Sequence, residues 1–510
     1  MKIFLTAFVV CVCVINGLAQ DLPHQLTAKE KELMKSYVPP KSQTGFTTPP
    51  TTPVRTMAEW EELEGVIIAW TSYTSILRQI VKYAQSECLV YIVCSDSASV
   101  KTYLTSGSVP LTNLKFIVAA FNSVWCRDYG PWSVYSNNCD SMYIIDWIYN
   151  RPRPNDDLIP SVFANQQGLP LYQTTTAPYA LTHTGGNFMT DGNGTGFSSK
   201  LILTDNPSQT SATVDTIMKK FMGINRYVKL ETLPYDQIHH IDMHIKLLDE
   251  ETLLVGQYPS GVADGPQIES NLQYILANYK TCYGRDYKVV RIPMPPDAQG
   301  RYPSGSGDYR TFTNSSIINK TVIVPTYEVK YDTTALRIYR EAMPGYNVVA
   351  IDCNQTITAL GAIHCITKEV GVREPIVISH APIYLYYCYL AFSITLRRRL
   401  GQKKPDEVRG LLLPRSLRTI SSASRSFIFL YLFHCCNVLM HKSIISVIPN
   451  AVTRLHKIKP INETPNDPHI TQDTITDRIT NPTIFVSRSI CPHCHLIKPR
   501  TSMISPNQNC

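Results

Sequence analysis

The chain has 510 residues, 44% hydrophobic and 17% charged, with 29 Tyr and 35 Pro. That composition excludes a disordered chain, a collagen and a coiled coil, and the length allows two to four domains with an ample core. The formal net charge of +8 is uneven: residues 1–383 carry 31 Lys and Arg against 34 Asp and Glu, whereas residues 384–510 carry 17 against 6. The basic balance belongs to the tail, and nothing in the body points to nucleic acid as a partner.

Lys2, the apolar run Ile3–Ile15 and the small residues of Asn16-Gly17-Leu18-Ala19 read as a signal peptide over residues 1–19. The expectation is an exported protein: periplasmic, cell-surface or secreted. Residues 20–56 are Pro- and Thr-rich, with Pro39-Pro40 and Pro49-Pro50, and predict an extended leader that docks or stays loose. From residue 57 onward, short β-rich apolar runs alternate with helical patterns. Strands are expected at Val66–Trp70, Leu89–Val93, Leu114–Ala119, Met142–Asp146, Leu201–Thr204, Leu253–Gly256, Val289–Ile292, Ser316–Pro325 and Asn347–Ile351. Helices are expected at Ser75–Ala84, Ala212–Met222, Gln267–Lys280 and Asp332–Ala342. The alternation predicts an α/β domain over residues 57–383, although no sequence repeat of fixed period is visible.

Past residue 383 the texture changes. The preceding part holds 22 of the 24 Gly and all five Trp. The stretch Ala381–Leu396, ahead of Arg397-Arg398-Arg399, falls short of the ~20 residues a spanning helix needs, so membrane anchoring by 381–396 is not expected. Residues 384–510 read as a basic, Gly-poor tail that is disordered or translated out of frame. Cys491-Pro492-His493-Cys494-His495 within it matches the CxxCH pattern of haem attachment. The body keeps seven cysteines (Cys88, Cys94, Cys126, Cys139, Cys282, Cys353, Cys365), an odd number that reads as a working thiol rather than a disulfide scaffold.

Five islands concentrate chemistry. Trp125-Cys126-Arg127-Asp128-Tyr129-Gly130-Pro131-Trp132 reads as a strand end and turn presenting a carboxylate between two indoles. Such an Asp is costly unless it meets a cation or several donors; as a bland alternative it caps the turn. In Gln237–His244 (QIHHIDMH), a strand would place His240, Asp242 and His244 on one face. That pattern suits a metal or a proton-moving His beside an Asp, but no HExxH or Cys pair completes a metal set. Leu360-Gly361-Ala362-Ile363-His364-Cys365 leads a Gly-bearing loop into a Cys, and Thr184–Gly192 (TGGNFMTDG) is a loop where backbone can approach a ligand closely. Arg151-Pro152-Arg153-Pro154 holds two guanidinium groups on stiff backbone.

A thiolate with a proton-donating His can attack an electrophilic carbon. Two carboxylates facing the same site repel unless the substrate is a cation, and a planar guanidinium matches carboxylates bidentately. A cysteine protease has no need of paired carboxylates. The set therefore favours hydrolysis of an amidine, with ammonia as the leaving group and no metal or cofactor.

WCRDYGPW, TGGNFMTDG, HHID and LGAIHC, in that order over roughly residues 50–380, resemble the bacterial peptidylarginine deiminase and agmatine deiminase family. The resemblance implies a five-bladed α/β propeller (pentein) with the site at its centre. It implies that Asp128 and Asp242 bind the guanidinium, His240 is the general acid/base and Cys365 is the nucleophile. It further implies that Asn314 supports the site and Trp125 lines the substrate's alkyl chain. Arg151 and Arg153 are similar to arginines of the peptidylarginine deiminase branch that hold the carboxylate of a C-terminal arginine; their bland alternative is surface pairing with Asp156 or Asp157. The tail resembles neither of the domains that follow the catalytic part in that branch, so the propeller's last strands are expected to be incomplete. Three readings follow: a deiminase of arginine-containing peptides, an agmatine deiminase acting on a small guanidino compound, and a truncated non-catalytic product.

Overall fold

The computed structural model describes residues 22–40, 44–136 and 141–373. The expected signal peptide over residues 1–19, Cys139, the 381–396 stretch and the 384–510 tail with its CxxCH motif lie outside them. Among the described residues no helix is long and apolar enough to cross a membrane.

Among the described residues the strands assort into five separate sheets on one recurring plan. A middle strand pairs antiparallel with a short strand on one side and parallel with an outer strand on the other, the parallel partner following a helix. In the second sheet Ser141–Tyr149 pairs with Trp132–Ser136 and, after the helix Ile159–Gln167, with Leu171–Thr174. The third sheet places Thr195–Ser199 between Met189–Thr190 and Arg226–Leu230. The fourth places Thr252–Gln257 between Ile245–Leu247 and Lys288–Pro293, and the fifth places Thr321–Thr326 between Ser316–Ile318 and Asn347–Asp352. Their helices are Ser211–Met222, Gly265–Asn278 and Val329–Ala342. This is the five-bladed α/β architecture.

The first sheet is assembled from both ends of the domain. Leu63–Ala69 runs parallel to Leu89–Cys94, which runs parallel to Leu114–Val118. Its antiparallel neighbour is Lys368–Gly371, with Val66 opposite Glu369. The expectation of incomplete last strands is therefore corrected: the ring closes before residue 373.

Parallel pairs covered by helices are buried on both faces, which is why VIIA and LVYIV read as unbroken apolar runs. The Thr74–Ala84 helix turns Ile76, Leu77, Ile80, Val81 and Ala84 into the core at helical spacing. One strand expectation fails. Leu201–Thr204 is a short helix, and the strand lies just before it in Thr195–Ser199, Phe197 among four small residues, all of them buried. Apolarity there serves packing of Ile202 into the core rather than sheet pairing. Ser316–Pro325 is a hairpin of two strands rather than one.

Candidate active site

Each connection from one sheet to the next delivers groups to the same place. The link from the first sheet to the second is not a strand end but a four-residue helix, Cys126–Tyr129, carrying Asp128. The second-to-third link is the turn Gly185–Asn187. The third-to-fourth link carries His240 and Asp242 on the turn Ile241–Met243, which corrects the strand reading of QIHHIDMH. His239 with φ of 57° breaks the extended chain there. Asn314 precedes the fifth sheet, and His364 and Cys365 lie on the turn His364–Ile366 just before the closing strand.

Asp128 is fully buried; Oδ1 accepts from the Gly186 amide at 3.1 Å and stands 3.6 Å from His240 Nδ1. A Cβ on Gly186 would sit 2.4 Å from that nitrogen, so only glycine admits this approach. Burial alone would raise the Asp128 pKa, but His24, His240 and Arg151 outweigh it and hold the carboxyl well below the usual range. Burial pushes the His240 imidazole down to about 3, against the pull of Asp128.

Asn314 Nδ2 lies 3.2 Å from Cys365 Sγ, and its Oδ1 accepts from the amides of Ala362, His364 and Cys365 at 3.2, 3.1 and 3.3 Å. Asp242 Oδ2 is 3.8 Å from Sγ and 2.6 Å from His364 Nδ1. Burial, then the Asp242 and Asp128 carboxylates, push the Cys365 thiol well above its ordinary pKa. The resting site therefore holds a neutral thiol and a neutral His240 imidazole. Trp125 closes the wall: a Cβ on Gly361 would meet its ring at 2.3 Å and the Cys365 Cβ at 3.1 Å. The thiols of Cys88, Cys94, Cys126, Cys282 and Cys353 are unpaired like that of Cys365.

Arg151 and Arg153 are buried, which corrects the surface-pair alternative. Asp156 instead accepts from Asn122, Ser123 and the Ser123 hydroxyl, and Asp157 from the Tyr149 amide. The arginines bind the leader. Arg153 Nε donates to Glu30 at 2.7 Å and its Nη2 to the Pro23 carbonyl at 2.7 Å, while Arg151 Nε donates to the His24 carbonyl at 3.1 Å.

Two site residues escaped the sequence reading. His24 is fully buried, with Nε2 2.6 Å from Asp128 Oδ2 and its ring stacked on Trp125 at 4.4 Å and 6°. No local pattern marks it, although the Thr27-Ala28-Lys29-Glu30 capping box that starts the helix Ala28–Met34 was readable. His364 stood inside the LGAIHC motif without being singled out.

The His240, Asp242, His244 metal trio does not form. Burial lowers His244 to about 4, and the only group of ligand-type atoms that converges among the described residues is His24, Asp128 and His240. Its 2.6 Å contact is a hydrogen bond; two ligands of one tetrahedral zinc stand roughly 3.3 Å apart given the usual bond lengths.

The model of the Porphyromonas-type peptidyl-arginine deiminases matches residues 55–370. The chain belongs to that family. It is 26% identical over 292 residues to a Vibrio parahaemolyticus protein provisionally named an agmatine deiminase, covering 51% of this chain and 78% of the relative. A Shewanella frigidimarina protein so named is 25% identical over 370 residues, with 64% and 95% covered. Among solved structures, a Porphyromonas gingivalis protein provisionally named an arginine deiminase superposes with a TM-score of 0.55 at 22% identity, over 62% of this chain and 98% of its own. The agmatine deiminase of Enterococcus faecalis gives 0.55 at 19%, over 63% and 96%. These likenesses agree with the pentein architecture of the deiminase, a hydrolase of amidine C–N bonds.

Proposed function

We propose that this deiminase converts the arginine of peptides, preferably at the C-terminus, to citrulline and ammonia. The observation that carries the reading is the burial of Arg151 and Arg153 beside Asp128 and Trp125, with a carboxylate already on Arg153. A substrate guanidinium would lie between Asp128 and Asp242, with its alkyl chain along Trp125 and its α-carboxylate on the two arginines.

In this reading neutral His240 accepts the proton of the Cys365 thiol as sulfur attacks the guanidinium carbon. The bound cation offsets the two carboxylates that otherwise disfavour a thiolate. The same proton passes to the departing nitrogen, the C–N bond breaks and ammonia leaves. Water then adds to the S-linked amidino carbon, and the C–S bond breaks to release citrulline and the thiol. Asn314 holds the loop that carries Cys365.

Agmatine is the second reading, favoured by the names of the relatives. A peptide ending in Arg, its C-terminal amide and agmatine separate the two. The free carboxylate should be preferred by ~1.5–3 kcal/mol, as for a charge-assisted hydrogen bond. Changing Arg151 and Arg153 together to Ala should erase that ratio; comparing substrates within one variant cancels any effect on the leader. Agmatine turning over faster than the C-terminal-Arg peptide on the unmutated enzyme overturns the peptide reading.

A further inference from the structure

We propose that residues 22–37 are a tethered occupant of the substrate cleft, with His24 standing in for the guanidinium and Glu30 for the carboxylate, and that substrate must displace them. The inference rests on the reading of the cleft given above and names what the chain itself places there.

The imidazole of His24 faces two acceptors, the Asp128 carboxylate at 2.6 Å from Nε2 and the Leu360 carbonyl at 2.8 Å from Nδ1. The planar imidazole lies flat on Trp125 with Nε2 on Asp128, the position the site offers to a guanidinium. Its edge meets the His240 ring at 4.9 Å.

Six residues on, the Glu30 carboxylate meets Arg153 Nε at 2.7 Å and Nη2 at 3.4 Å. The Thr27–Glu30 capping box fixes that carboxylate, its Oε2 also accepting from the Thr27 amide at 2.8 Å. At and just before the first anchor the cleft binds main chain: Trp125 Nε1 takes the Leu22 carbonyl at 2.8 Å, Arg153 that of Pro23 and Arg151 that of His24. The His24 amide donates to the Ala359 carbonyl at 3.1 Å, which ties the leader to the loop running into Cys365.

Asp128, Trp125, Arg151 and Arg153 are thus all engaged by one segment, and the buried His24 ring sits on Asp128 Oδ2, where a substrate guanidinium would bind. Being part of the same chain, the segment is presented at an effective concentration on the order of mM, against which free substrate must compete.

The test uses the full chain and its His24→Ala/Glu30→Ala variant. The first readout is the rate at which 2-chloroacetamidine, an amidine-bearing electrophile, alkylates Cys365, followed by mass spectrometry. The second is ammonia release from a C-terminal-Arg peptide and from agmatine. Labelling and kcat/KM should both rise at least tenfold in the variant, and a synthetic peptide of residues 22–37 added in trans should slow both again. His24→Gln alone, which keeps a donor but not the ring stacked on Trp125, should give a smaller rise in the same direction and serves if the double variant does not fold. Faster labelling in the variant, with neither the variant nor the unmutated chain turning over either substrate, keeps the occupant and removes the deiminase specificity reading. Equal or slower labelling in the variants, or no labelling in any form, overturns the occupant, as does a loss of turnover, which would make the leader a working part of the site.

Discussion

Asn314 is the residue whose loss separates architecture from chemistry. Its Oδ1 accepts from three backbone amides of the loop carrying Cys365, those of Ala362, His364 and Cys365, and the side chain is fully buried. Asn314→Ala removes that acceptor. The His364 amide keeps the Asn314 main-chain carbonyl at 3.1 Å, so two amides are stranded. At about 1–3 kcal/mol for each unsatisfied buried donor, the expected destabilisation is ~2–6 kcal/mol, read by urea unfolding with the m-value checked for constancy. Asn314→Asp keeps the acceptor in place and should unfold within about 1 kcal/mol of the unmutated protein near neutral pH, since three amides compensate its charge. It loses the Nδ2 donor 3.2 Å from Cys365 Sγ, however, and sets a third carboxylate beside the thiol. Turnover should fall by at least ~10²-fold while the fold persists, about 2.7 kcal/mol of transition-state stabilisation. If Asn314→Ala unfolds within ~0.5 kcal/mol of the unmutated protein, or if Asn314→Asp keeps normal turnover, the residue neither supports the loop nor acts on the sulfur.

Cys365→Ser should abolish ammonia release, because a hydroxyl here lacks the acidity of a thiol, whereas Cys126→Ser should retain most of it: that sulfur donates only to the Ile67 carbonyl at 3.4 Å. Asp242→Asn breaks a buried contact of 2.6 Å with His364 and removes one charge facing the substrate; kcat/KM should fall by more than ~2 kcal/mol, and a near-normal value excludes this carboxylate from cation binding. The raised Cys365 pKa sets a sign for modification by iodoacetamide: the rate should keep climbing through pH 9 without levelling, since the thiolate is scarce below a pKa lifted well above 9.0. A plateau below pH 8 refutes it.

The fold was legible where burial left a periodic trace. Strands such as Leu63–Ala69, Thr252–Gln257 and Thr321–Thr326 are apolar because they are buried on both faces, and the Thr74–Ala84, Ser211–Met222 and Val329–Ala342 helices carry their buried faces at regular spacing. Thr195–Ser199 was not legible because TGFSS offers one large apolar residue, Phe197, among small ones and no apolar run, and the closing strand Lys368–Gly371 reads as polar. Lys368 is hidden there over the Trp132 ring at 3.4 Å and Glu369 beneath Arg127 at 2.6 Å, both stabilised by partners distant in sequence. The groups at the site were legible for the opposite reason. Asp128, His240, Asp242 and Cys365 sit in short connections whose composition answers to chemistry rather than to packing, so they stand out against their flanks. The sequence could not show that Asp242 would meet His364, or that a leader His would meet Asp128 across 104 positions.

Closure of the ring and assembly of the site are the same event. Cys365 lies three residues before the strand that pairs with Leu63–Ala69, and Asp128 lies in the connection leaving that first sheet. Pairing Lys368–Gly371 with Leu63–Ala69 therefore brings the thiol to the carboxylate from the far end of the domain. The ion network behind the site follows from this. Arg127, next to Asp128, donates to the His364 carbonyl at 3.2 Å and pairs with Glu369 at 2.6 Å; Glu59 reaches both Lys246 and His364. Desolvating so many charges gives little net stability, and hydrophobic residues of similar volume would often do as well. What hydrophobic residues could not do is fix register: Arg127, beside Asp128, pairs with Glu369 on the closing strand, and Glu59 joins Lys246 of the fourth sheet to His364 beside Cys365, so a slip of the closing strand would strand a buried charge. The site is thus held by contacts that penalise misalignment, on a frame whose stability comes from the apolar sheets and helices around it.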